Sequence, residues 1–200
     1  DTTSTQGPLV LSLTILGSVL PGRAIRRVGA QAGDGLWVTG TIGDGALGLR
    51  ALQGTLSDPS GHLASRYRVP QPRVGLPLYG LASAAMDVSD GLLQDAGHLA
   101  RESGLAVTIT ANAVPRSDAA IACGPEWLET CLTGGDDYEI LFAVPSEHED
   151  ALANAGVLKT PHGPVAVTRI GQFYEGDVGV RVLDGSGQPI PFTKGGWSHL

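Results

Sequence analysis

The chain has 200 residues, enough for one domain, or one domain and part of another, with a sizeable core. Gly 29 and Pro 13 are high, but apolar runs separate them, so the chain is globular rather than low-complexity. A formal net charge of −7 argues against a nucleic-acid backbone as partner, and the absence of a signal peptide or long apolar span argues against a membrane role and makes the cytoplasm the default.

Asp1 rather than Met opens the chain, which therefore reads as processed, truncated or a fragment. Residues 9–16 are a nearly continuous run of Leu, Val and Ile, predicting a buried strand. Pro21-Gly22 ends it, and Arg23, Arg26 and Arg27 follow as the densest positive spot in an acidic chain. They suit a solvated turn or a phosphate clamp equally well. Residues 1–28 thus look like the edge of something larger, and 29–200 like the domain proper.

A short strand is predicted at 36–39, then a glycine-rich turn, Gly40-Thr41-Ile42-Gly43-Asp44-Gly45-Ala46-Leu47-Gly48, and a helix to Leu52. The turn lacks the lysine of a Walker loop and the spacing of a dinucleotide fingerprint, so a tight βα turn capped by Asp44 is favoured. Residues 63–68 suggest a helical turn, and Pro72 opens a weak helix towards Ala84.

Asp87-Val88-Ser89-Asp90-Gly91 places two carboxylates and a hydroxyl ahead of a strong helix, with Leu92, Leu93, Ala96, Leu99 and Ala100 at helical spacing and Gly104 as its stop. Ser89 or Asp90 is expected to cap that helix. Two acids at a helix N-terminus also suit a divalent cation that carries a phosphate. A strand follows at 105–110 and short helices at 117–123 and 126–132. Cys123 and Cys131 lack metal or disulfide spacing and should pack as small apolar residues. Thr133-Gly134-Gly135-Asp136-Asp137-Tyr138-Glu139 then brings three acids to the start of a strand at 140–144, more than a turn needs. Ser146 and Glu149 have capping-box spacing on a helix to Ala155. A strand at 165–173 and a hairpin around Asp184-Gly185-Ser186-Gly187 precede a tail carrying Trp197. Strands alternating with helices make this an α/β or α+β layered domain, a mixed sheet packed with helices.

Taken in order, Asp1-Thr2-Thr3, Gly22-Arg23-Ala24-Ile25-Arg26-Arg27, Asp87-Val88-Ser89-Asp90-Gly91-Leu92, Thr133 to Glu139, and Gly195-Gly196-Trp197-Ser198-His199 resemble the thiamine-monophosphate kinase family. That family shares a superfamily with aminoimidazole ribonucleotide synthetase, selenophosphate synthetase and a hydrogenase maturation factor. The resemblance implies the C-terminal domain of the aminoimidazole ribonucleotide synthetase-like fold. It also implies transfer of the ATP γ-phosphoryl to thiamine monophosphate, Mg²⁺ as the metal, and a homodimer formed through an N-terminal domain. Most of that domain is missing here, so this chain alone is expected to be inactive. By the same resemblance Asp87 and Asp90 hold Mg²⁺, Asp1 is a further metal ligand, Ser89 and Arg27 touch ATP, and Asp136 and Trp197 touch thiamine monophosphate. The rivals are another ATP-dependent superfamily member, such as the ribonucleotide synthetase, and a non-catalytic nucleotide-binding remnant.

Overall fold

A computed structural model describes residues 7–192, so Asp1 and Trp197 lie outside the described residues. The strands are β1 (Gly35–Thr39), β2 (Ala84–Val88), β3 (Ala106–Thr110), β4 (Glu139–Val144), β5 (Val157–Thr160), β6 (Gly163–Tyr174) and β7 (Gly179–Leu183). They form one mixed sheet in the order β2-β4-β1-β6-β3-β7, with β5 paired to β6. Every pairing is antiparallel except that of β3 with β7. The helices are α1 (Asp44–Leu52), α2 (His62–Arg68), α3 (Leu92–Ser103), α4 (Asp118–Ala122), α5 (Leu128–Thr133) and α6 (Ser146–Ala155).

Side-chain alternation assigns each strand residue to one of two cores. Leu36 and Val38 of β1 and Leu141 and Ala143 of β4 pack with Leu92, Ala96 and Leu99 of α3 on one face. Their neighbours Trp37, Phe142 and Val144 pack with Leu152 of α6, Leu158 and Val167 on the other. Because both faces are covered, the central strands read as continuous apolar runs rather than as an alternation. A third cluster, of Leu47, Leu63, Ala120 and Cys131, ties together α1, α2, α4 and α5. Cys131 is buried and Cys123 half-buried, and both are free thiols. Burial pushes the Cys131 thiol up to about 12, which leaves it a packing group.

The structure departs from the sequence expectations in identifiable places. Residues 9–16 form no strand; Leu9, Leu11, Leu13, Ile15 and Leu16 are all more than 80% exposed. A strand needs a neighbour for its amides and carbonyls, and none of the described strands pairs with this run. The helix expected from Pro72 is also absent: Gly75 and Gly80 sit at φ +78° and +79°, outside helical backbone, and the segment leads instead into β2. Neither Ser89 nor Asp90 caps α3, whose N-cap is Gly91. Nor does the capping box at Ser146 form; α6 follows Pro145 without a side-chain cap, and Glu149 pairs with Arg169. β5 has no counterpart in the sequence reading. The late hairpin is present as β7 and a single bridge, Leu183 to Pro189, around a turn in which Asp184 accepts from the Ser186 and Gln188 amides.

Leu99 is fully buried at the centre of the α3 face. Leu99→Ala is therefore expected to lower unfolding stability by about 2–5 kcal/mol in a urea titration.

Candidate active site

β2 and β4 are antiparallel neighbours, with Asp87 opposite Ile140 and Val88 opposite Glu139. That register brings the end of one motif to the start of the other. The ladder continues beyond the strands: the Tyr138 amide donates to the Val88 carbonyl at 2.8 Å and the Asp136 amide to the Ser89 carbonyl at 3.0 Å. The approach is tight enough to require glycine. A Cβ on Gly91 would lie 2.5 Å from the Thr133 carbonyl oxygen, and one on Gly135 would collide with that of Ser89. Asp87, Ser89, Asp90 and Asp136, four of the residues singled out from the sequence, thus lie along one backbone seam, all half-buried.

The acids of this region divide by direction. Asp137 turns inward, 2% exposed, and accepts from the Gly43 amide at 2.7 Å and the Gly45 amide at 2.9 Å. A third loop, leading into α1, is thereby bound to the seam. The sequence reading capped α1 with Asp44; its N-cap is instead Gly43, and the carboxylate that takes the nearby amides comes from Asp137. Burial pushes Asp137 up to about 7, and the two amides pull the other way without cancelling it. Glu139, fully buried, accepts from Thr39 Oγ1 at 2.6 Å, Arg66 Nη2 at 3.0 Å and Arg73 Nε at 2.6 Å. Asp44, also fully buried, accepts from Thr41 Oγ1 at 2.7 Å and Ser117 Oγ at 2.5 Å. Of the three clustered acids, only Asp136 faces outward. The period of two along Asp136, Asp137, Tyr138 and Glu139 is the signal that could have separated them.

Asp95, which the sequence did not single out, braces this candidate site. It is 1% exposed, and its Oδ2 accepts from the Ser89 amide at 3.0 Å and the Asp90 amide at 3.1 Å. It does from within α3 what a cap would do from outside, and it fixes the loop that carries Asp90. Burial, with the charges of Asp90 and Asp87 adding to it, raises Asp95 to about 6. Its spacing five residues after Asp90 matches no standard cap, so the sequence carried only its place on the buried face of α3. Ligand atoms of Asp90, Asp95 and His98 lie within 4.8 Å of one another, close enough to hold a cation. Arg101 also sits against His98 Nδ1, so this trio already has a positive neighbour.

Arg27 is exposed beside Arg26, whose carbonyl accepts from the Ala85 amide at the start of β2. No described hydrogen bond or salt bridge joins it to the acids. Arg23 lies 5.1 Å over the ring of Tyr79.

Comparison with known proteins extends these observations. Residues 31–183 match the family model of AIR synthase related protein, C-terminal domain. The thiamine-monophosphate kinase of Caulobacter vibrioides is 44% identical over 211 residues, covering 100% of this chain and 57% of that protein. The crystal structure of thiamine-monophosphate kinase from Stenotrophomonas maltophilia K279a superposes with a TM-score of 0.72 at 38% identity, covering 84% of this chain and 55% of that one. A structure described as AaThiL complexed with AMPPCP and TMP gives 0.69 at 32% identity, covering 88% and 54%. The chain thus spans less than two thirds of the length of the relatives it matches.

The buried Asp137 carboxyl makes stability depend on pH. It holds its proton to about pH 7 in the folded protein, against an ordinary value of 3.8 when unfolded. Between those values the folded state binds more protons, so this group's contribution to stability is full at low pH and is lost as pH rises through about 7. Asp137→Asn is expected to lower Tm throughout, because its NH₂ faces one of the two amide donors. It should also flatten the fall in Tm between about pH 4 and pH 7; an unchanged slope in thermal melts would contradict the assignment.

Proposed function

The chain belongs to the AIR synthase related protein family through its C-terminal domain, and from that premise we propose that it is the C-terminal part of an enzyme that transfers the γ-phosphoryl of ATP to thiamine monophosphate. The observation that carries the reading is the backbone seam that brings Asp87, Ser89 and Asp90 alongside Asp136. The relatives' names and the TMP and AMPPCP in one neighbour's description support the same pair of substrates. In this reading residues 1–28 belong to an N-terminal ATP-binding and dimerisation domain and 29–200 form the substrate-binding domain. The complete protein is a cytoplasmic homodimer.

The donor set fits Mg²⁺, which takes hard oxygen ligands and keeps water and substrate phosphates in its remaining positions. Asp87 and Asp90 supply carboxylate oxygens at the end of β2, and Asp87 takes part in none of the described salt bridges. Magnesium bound there would offset the repulsion between two phosphate groups and stabilise charge on the transferred group. Asp95 keeps the loop from shifting as ligands come and go, through its bonds to the Ser89 and Asp90 amides. The Ser89 hydroxyl and Arg27 contact ATP, and Asp136 contacts thiamine monophosphate. Asp1, as a further metal ligand, and Trp197, against the acceptor, complete the set by family resemblance. A phosphate monoester carries its own nucleophilic oxygen near neutral pH, so the protein's part is placement and charge rather than a strong base.

In the full-length protein, ADP release should require both Mg²⁺ and thiamine monophosphate and should not respond to formylglycinamidine ribonucleotide. Asp87→Asn or Asp90→Asn should lower kcat by about 10²-fold or more at saturating Mg²⁺ with the fold intact by circular dichroism. Near-normal rates would reject their role, and ATP binding without turnover would favour a non-catalytic nucleotide-binding role.

A further inference from the structure

Tyr138 and Asp136 are the only non-glycine residues with positive φ among the described residues, at +52° and +70°. Aspartate tolerates left-handed backbone; a bulky aromatic residue rarely adopts it, and where it persists the surroundings must hold it there. Here they do. The Asp136 and Tyr138 amides are tied to the Ser89 and Val88 carbonyls, and between them Asp137 is anchored by two amides of the α1 loop. The two left-handed residues flank an inward-facing one and share the outer side, where the Tyr138 hydroxyl donates to Asp136 Oδ1 at 3.0 Å. Burial does not account for the tyrosine, which is 40% exposed. Glycine or asparagine would take this backbone with less strain. Core packing alone therefore does not explain why a tyrosine stands at this position.

We propose that Tyr138 is a positioning residue for the acceptor substrate: its phenol orients the Asp136 carboxylate towards thiamine monophosphate, and the strained backbone is the device that puts it there. The inference rests on the proposed function, in which Asp136 is a substrate contact. Partial burial, the bond to Asp136 and the charges of Asp136 and Asp87 all push the phenol up, so the hydroxyl keeps its proton and stays a donor at neutral pH. The bond from its amide to the Val88 carbonyl at 2.8 Å ties Tyr138 to the other motif as well. A donor at this point fixes one oxygen of Asp136 without bringing another negative charge to a site that must accept phosphate.

The test uses three variants of the full-length protein. Tyr138→Phe keeps the ring and removes the bond; the KM for thiamine monophosphate should rise about fivefold or more, with the KM for ATP and Tm unchanged. Tyr138→Gly should raise the same KM at least as far while Tm holds or increases, because the backbone strain is released. Asp136→Ala supplies the reference for losing the contact altogether. A normal KM for thiamine monophosphate in Tyr138→Phe, equal effects on both KM values, or a Tm that falls in Tyr138→Gly in step with activity would each overturn the proposal. If Asp136→Ala weakens thiamine monophosphate while Tyr138→Phe does not, only the positioning role fails. If Asp136→Ala is silent too, the reading of the substrate site falls with it.

Discussion

The Asp137 carboxylate, out of contact with water and bonded to the Gly43 and Gly45 amides, is the constraint on which the rest of the site depends. Three loops meet at this point: two are joined backbone to backbone through the Asp136 and Tyr138 amides, and the third is held by the Asp137 side chain. Such contacts are short and directional, and they leave outward-facing side chains with no packing duty. Asp136 and Tyr138 can therefore be displayed at the surface of the seam because the residue between them carries the structural role. Asp95 repeats the arrangement from the other side, bonding the amides of Ser89 and Asp90 from within α3.

A second layer of charge lies beneath. Glu139 draws Arg66 and Arg73 into the protein, and Arg66 reaches towards Asp44 at 3.7 Å. Buried carboxylates are tolerable only where cations or amide donors meet them, and each of these has such partners. An acidic face can thus sit on this fold without an uncompensated acid below it. The division separates Asp44, Asp137 and Glu139, buried beneath the seam, from Asp87, Asp90 and Asp136, which are half-buried along it.

Much of this was legible in the residues and some was not. Helix α3 could be read to its last residue, because its apolar repeat is regular and Gly104 stops it in left-handed backbone. The strands at Leu36 and Ile140 were equally visible as short apolar runs between turn residues. β2 was hidden because Asp87 interrupts it, and β5 because it is four residues long and follows directly on Gly156. The motif residues Asp87, Ser89, Asp90 and Asp136 could be named in advance, whereas Asp95 could not be given its role. Its importance comes from where a turn places two amides, and pattern along the chain does not encode that. The N-terminal run failed for the opposite reason: its composition is that of a strand, but composition cannot supply a neighbour to pair with.

That run has a further consequence for handling the protein. Residues 7–22 contain no charged side chain, and their Leu, Val and Ile side chains stand in solvent. None of the described strands pairs with residues 9–16, and no lysine or aspartate within the run supplies the charge that ordinarily blunts an exposed apolar stretch. Exposed apolar side chains on an uncharged stretch favour association with other apolar surfaces, so this segment is where a charged substitution would do most for solubility.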